Sequence, residues 1–168
     1  MESRRGVARR LPRHRAAVYA LPVTAEQWNA STTLTGMTMT EAIRWKHGAR
    51  CAVTLSFDVD GETPWIYRDK ALADRPLHMS MGAYGPKTGV PRILALLDRY
   101  DIKAGFFIPG WIVERYPDLC KEIVRRGHEI GHHGYLHEKP FFLESREQEE
   151  ELLIKSMEIF RQVLGVTP

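Results

Sequence analysis

Along the chain, short apolar runs alternate with stretches of helical periodicity. Ala52 to Phe57 is apolar, β-branched and aromatic with no Gly or Pro, which predicts a short, largely buried strand that includes the neighbouring Cys51. Val90, Ile93, Leu94 and Leu97 recur at helical spacing behind Pro91, predicting a helix to about Arg99. Lys103 to Ile108 reads as the next strand, ended by Pro109 and Gly110. Leu119, Ile123 and Val124 mark the inner face of a helix over Tyr116 to Arg126, with Pro117 in its first turn and Gly127 as its stop. His128 to Gly131 is short and strand-like. A last helix opens on Ser145 with Gln148 three residues on, a capping-box pattern. Leu153, Met157, Phe160 and Leu164 form its apolar face, Gly165 ends it, and its expected role is packing onto the sheet. The order β, α, β, α, β predicts an α/β domain with a parallel sheet and right-handed crossovers.

Two stretches break the periodicity. Thr63 to Gly89 holds three prolines, three glycines and several aromatic and Met residues, and reads as a long loop folded over the strand end to line a pocket, or as a surface excursion. Residues 1–36 carry no amphipathic period and read as a disordered basic leader ahead of a domain over 37–168. Met37 or Met39 is then the expected natural start, which the intact mass of the native protein decides. Met39 to His47 is expected to be a short helix or turn.

The charge is unevenly placed. Six arginines against Glu2 give +5 over the first fifteen residues, while the whole chain carries +3, so the body is slightly acidic. That excludes a broad nucleic-acid surface. No run approaches the ~20 apolar residues of a transmembrane helix. The two cysteines, Cys51 and Cys120, have no metal or disulfide spacing and read as free thiols, which favours a reducing, cytoplasmic compartment.

Candidate chemistry sits at two strand ends. Asp58, Asp60 and Glu62 crowd the end of the first strand, with Gly61 permitting a sharp turn. Crowded carboxylates repel, and a cation or a raised pKa relieves them; a solvated polar turn accounts for them equally well. After the third strand, His133 and His137 stand four residues apart, a spacing that can aim two imidazoles at one ion and that also arises by chance. Strands of one parallel sheet end on the same side, so the two loops can meet. Asp60, His133 and His137 would then be three ligands with an open position, the catalytic pattern for Zn²⁺, where a metal lowers the pKa of water to about 7 and polarises a carbonyl. Asp58 would be the general base.

Here the residues resemble a known family. Ser56-Phe57-Asp58-Val59-Asp60 is similar to the first motif, usually Thr-Phe-Asp-Asp, of the polysaccharide deacetylases (the NodB-homology domain, carbohydrate esterase family 4). His133-Gly134-Tyr135-Leu136-His137 resembles the second, His-(Ser/Thr)-x-x-His. Phe106 to Gly110, Tyr116-Pro117-Asp118 and Arg126 to Gly131 fit between them. The Asp-x-Asp form, with Trp45 and Gly48-Ala49-Arg50 ahead of it, resembles the peptidoglycan-deacetylase-like and allantoinase-like branch, whose members tend to be cytoplasmic.

The resemblance implies a catalytic base at Asp58 and a divalent metal ion, most typically Zn²⁺, on Asp60, His133 and His137. It implies the N-terminal portion of a distorted (β/α) barrel, cut before closure, since the chain ends about where a later Arg motif would begin. The general acid of the family belongs to those later motifs. Gly134 departs from the family pattern, removing any hydroxyl role there. The expected function is hydrolysis of non-peptide C–N bonds, as N-acetyl removal from amino sugars in carbohydrate metabolism. An allantoinase-like cyclic-amide hydrolase, or a non-catalytic metal-binding remnant, is the alternative. The expected partner is an N-acetylated saccharide or small amide, with no nucleic acid and no membrane. An open sheet edge leaves homo-oligomerisation open.

Overall fold

The computed structural model describes residues 45–168. The basic leader, the Met37 and Met39 starts and most of the turn expected over Met39 to His47 lie outside the described residues. The chain divides at Thr54 into two units. In the first, Lys46–Gly48 forms a single 3₁₀ turn. Cys51 is only half-buried and lies outside any strand, against expectation.

The second unit carries the fold. Three parallel strands, β1 (Ser56–Asp58), β2 (Gly105–Ile108) and β3 (Glu129–His132), stand in the order β1-β2-β3. Phe57 pairs with Phe106, and Phe106 with Ile130. The α/β class, the parallel sheet and the partial, unclosed barrel therefore match the expectation. The first strand is shorter and less buried than its composition predicts: Ser56 and Asp58 are exposed, and Leu55 just before it is 38% exposed. Among the described residues it lies at an edge of the three-stranded sheet, with β2 as its neighbour.

The sheet is covered on one face. Phe106 and Ile108 of β2 are fully buried, while Phe107 between them is 41% exposed on the other. Period-two alternation sorts them so. Leu94, Ile112, Ile123 and Phe160 complete the buried side. Truncating Phe106 to Ala would cost about 3–5 kcal/mol at such a site.

The stretch from Thr63 to Gly89 is helical rather than a loop. It comprises α1 (Thr63–Arg68), a 3₁₀ turn (Lys70–Asp74), α2 (Pro76–Tyr84) and a π turn (Gly85–Gly89), running straight into α3 (Val90–Arg99). Pro64, Pro76, Pro86 and Pro91 each sit in the first turn of one of these segments. At Pro64 and Pro76 proline loses no hydrogen bond and its fixed φ suits the helix, so residues that read as breakers act as starters. Pro86 and Pro91 instead lie within a continuous helical run, in and just after its π turn.

Between β2 and β3 lie two helices rather than one, α4 (Gly110–Arg115) and α5 (Pro117–Arg125), with Gly127 at φ +75° ending the second. Cys120 and Ile123 are the buried residues of α5. The last helix, α6 (Arg146–Ile159), starts as predicted: Ser145 Oγ accepts from Gln148 N at 3.2 Å. The Gln148 side chain accepts in return from Glu144 N at 2.7 Å.

Its inner face matches the expected one only in part. Phe160 is buried and Leu164 packs against the core as expected, but Leu153 is exposed, and Ser156 and Ile159 are buried instead. Ser156 spends its hydroxyl on Leu152 O at 2.9 Å and lies close against Gly110, where a Cβ would come within 3.0 Å of Ser156 Oγ. This small-on-small contact places Ser156 on the inner face. A π turn at Phe160–Leu164 shifts the register further. The packing partners are mainly α4 and α5 rather than the sheet, which Phe160 touches through His132 (ring centroids 6.3 Å apart).

Candidate metal centre

The first arm of the site is the turn after β1. The ladder continues one residue past the strand, with Val59 N donating to Phe107 O at 2.9 Å. Val59 is buried, and Asp58 and Asp60 flank it. The chain then turns sharply. Thr63 donates to Asp60 O through both N (3.0 Å) and Oγ1 (2.8 Å), and Gly61 adopts φ +55°. A Cβ on Gly61 would lie 2.5 Å from Ile112 Cδ1, so the buried Ile112 side chain would have to shift, and the positive φ favours glycine there as well. Glu62, which follows, is buried, and Tyr116 Oη donates to its Oε1.

The second arm is the loop after β3. Strand alternation sends His132 towards Phe160 and His133 the other way, edge-on to Phe107 with centroids 6.5 Å apart. Burial holds the His132 imidazole below the usual histidine pKa. Two left-handed residues, Gly134 (φ +75°) and His137 (φ +63°), bend the loop back. Gly134 O and Tyr135 O accept from Gly110 N (2.9 Å) and Trp111 N (3.0 Å). These are donors that the start of α4 leaves without partners inside the helix.

Strand β2 stands between the two arms, so they reach across about 10 Å. They meet. His133 Nε2 lies 3.4 Å from Asp60 Oδ1, and His137 Nε2 lies 3.9 Å from Asp60 Oδ2. The two imidazoles are 4.7 Å apart between centroids. One ligand atom from each of Asp60, His133 and His137 falls within a 4.8 Å cluster. Asp60 Oδ1 is buried and accepts no hydrogen bond among the described residues. A buried carboxylate oxygen without a donor is costly, and a cation between it and the two imidazoles removes the cost. The donor set therefore fits a divalent ion.

Asp58 is exposed at the end of β1 and is not a member of this group. A groove of about 440 Å³ opens beside His133 and His137, walled by Lys139, Phe141, Leu143 and Leu152. The aromatic and Met stretch does not line it. Met79, Ala83 and Tyr84 instead line a separate cavity of about 410 Å³ with Glu62, Arg115 and Tyr116. Sequence reasoning counted Glu62 only among the crowded carboxylates and Tyr116 only within a matching motif, and gave Glu138 no role; Gly134 in place of a hydroxyl residue was the one available pointer to Glu138.

An open parallel α/β sheet with an acidic and two imidazole side chains gathered at the carboxyl edge has the architecture of a partial (β/α) barrel with a candidate metal site. The family model described as polysaccharide deacetylase matches residues 83–168, and the chain belongs to that family. It is 35% identical over 116 residues to a peptidoglycan deacetylase of Helicobacter pylori, covering 69% of this chain and 39% of that protein. The structure of a Mycobacterium smegmatis protein classed as a polysaccharide deacetylase superposes with a TM-score of 0.72 at 43% identity, covering 76% of this chain and 44% of that one. Puue allantoinase superposes with a TM-score of 0.56 at 27% identity, over 68% of this chain and 43% of that one. The chain spans roughly two fifths of the length of the curated relatives it matches (39% and 36% for two of them).

Proposed function

We propose that this chain carries the metal-binding portion of a hydrolase that removes N-acetyl groups from amino sugars, with peptidoglycan-type saccharide as the substrate class. The observation that carries the reading is the meeting of Asp60, His133 and His137 around an undonated carboxylate oxygen. Family membership and the name of the Helicobacter pylori relative support the substrate class. The three side chains are the ligands, and Zn²⁺ is the ion best matched to two imidazoles and one carboxylate with an open position. Bound there, the ion would supply Lewis-acid activation of an amide carbonyl and of water. Asp58 is the proton acceptor, free to take that role because it stands outside the ligand group. The groove beside His133 and His137 is where the sugar would lie.

A small cyclic amide is the second reading, favoured by the superposition on Puue allantoinase. Acetate release from N-acetylglucosamine oligomers, assayed beside ring opening of allantoin, separates the two. Wild type and Asp58→Asn are compared, each with and without added Zn²⁺. Acetate release lost in Asp58→Asn supports the first reading. Silence in both assays would leave a metal-binding remnant and overturn catalysis by this chain.

Among the described residues no helix is long and apolar enough to cross a membrane. A cytoplasmic location is proposed on the branch resemblance and the free thiols of Cys51 and Cys120. Cell fractionation that recovers the protein outside the cytoplasm would overturn it.

A further inference from the structure

The loop that carries the two histidines is short, twice left-handed, and held by a residue outside the ligand set. Tyr135 N and Leu136 N donate to Glu138 Oε2 and Oε1, each at 2.8 Å. These amides lie between His133 and His137 and have no helix or strand to satisfy them. One carboxylate takes both, and charge-assisted bonds of this kind are about twice as strong as neutral ones. Because Glu138 directly follows His137, its side chain folds back over the loop and closes it around that residue.

The space for this carboxylate exists because residue 134 is glycine. A Cβ there would lie 2.7 Å from Glu138 Oε2, 3.2 Å from Glu138 N and 3.3 Å from His137 N. Any side chain at 134 would have to displace the carboxylate. From the far side, the start of α4 holds Gly134 O and Tyr135 O. The Tyr135 side chain is fixed separately, its hydroxyl donating to Glu114 Oε2 at 3.0 Å and its ring lying under Lys155 Nζ at 3.4 Å. Among the described residues, Glu138 is thus the one side-chain brace on the inner edge of the loop.

The geometry points to Glu138 as the positioning residue of the metal centre, which holds His133 and His137 in ligating register and takes the place of a hydroxyl side chain at residue 134. This rests on the reading of Asp60, His133 and His137 as ligands. Gly134 and Glu138 form a single device: the carboxylate needs the glycine, and the glycine needs the carboxylate to restrain a loop it would otherwise loosen.

The test is Co²⁺ binding to the 168-residue chain, followed by calorimetry and by the visible spectrum of the bound ion, with far-UV circular dichroism as the check on folding. Glu138→Ala should weaken binding about 10–100-fold, the range for losing a group that orients a ligand. Glu138→Gln keeps one acceptor oxygen and should fall between wild type and Glu138→Ala in affinity and in spectrum. It also serves where Glu138→Ala does not fold. Gly134→Ser should weaken binding in the wild-type background and weaken it much less in the Glu138→Ala background. The backbone cost of serine at positive φ is common to both backgrounds and cancels in the cycle.

Wild-type affinity in both Glu138 variants, or equal losses from Gly134→Ser in the two backgrounds, overturns the assignment of Glu138. If His137→Ala abolishes binding while the Glu138 variants keep it, the ligand reading stands and this proposal alone fails. No binding by the wild type overturns both.

Discussion

The hydroxyl of Tyr116 donates to Oε1 of Glu62, joining the boundary of α4 and α5 to the turn that carries Asp60. Glu62 is buried, and its Oε2 has no hydrogen-bond partner among the described residues. Burial, and then the Glu62 carboxylate, push the Tyr116 hydroxyl up to about 12 from an ordinary 10.0. The folded state therefore holds this proton more tightly than the unfolded chain. Its contribution to stability is whole below pH 10.0 and is lost as the pH rises towards about 12. Absorbance titration of the tyrosines should show one that ionises late. Tyr116→Phe should remove that late step and destabilise the fold by about 1–3 kcal/mol in urea unfolding, the cost of leaving a buried acceptor unpaired.

Gly82 of α2 is buried directly against the same turn. A Cβ there would lie 2.7 Å from Glu62 Cα and 2.8 Å from Gly61 O, and neither backbone atom can step aside. Two effects oppose each other in Gly82→Ala. Helix propensity favours alanine by about 1 kcal/mol. Overpacking costs about 1–3 kcal/mol. The clash should win, lowering the unfolding midpoint, and by moving the Asp60 turn it should also weaken Co²⁺ binding. A variant more stable than wild type would show that α2 does not press on the turn.

His128 is buried beside Phe106, with Nδ1 accepting from Ala104 N at 3.3 Å and Nε2 unpartnered among the described residues. Burial first, then Lys103, hold its imidazole below the ordinary 6.5. The unfolded chain takes up this proton more readily. The stability owed to His128 is whole above pH 6.5 and is lost as the pH falls through that value towards the lower folded one. Urea midpoints measured from pH 7 down to pH 5 should decline, and His128→Gln should flatten the decline. An unchanged slope would put the acid sensitivity elsewhere.

Cys120 is fully buried in α5, and burial pushes its thiol up to about 12. Cys51 is half-buried. The thiolate is the reactive form. A thiol reagent at pH 8 should therefore label Cys51 on the folded chain and reach Cys120 only on unfolding. Two fast-reacting thiols before unfolding would mean that α5 opens readily.

How much of this was legible differs from residue to residue. Asp60, His133 and His137 could be read because each follows an apolar strand, and parallel strands put their carboxyl ends together. The helices between Thr63 and Gly89 could not be read, because Pro64, Pro76, Pro86 and Pro91 look like interruptions until each is seen in the first turn of a segment. On α6, Leu152 and Leu153 are equally apolar. The choice between them falls to Ser156, a small polar residue that packs close to Gly110 and that no hydrophobic pattern would place inside. Glu138 had only the indirect pointer of Gly134, because its two partners are backbone amides, which leave no mark in a sequence.

His137 holds its imidazole in the centre from a left-handed backbone, φ +63°, which glycine enters at no steric cost and a residue with a Cβ enters only at some cost. Its identity is thus a compromise between folding and ligation, and the two pull towards different amino acids. Left to drift under selection for folding alone, position 137 would move to glycine. Histidine would persist there only in lineages where something still needs its ring.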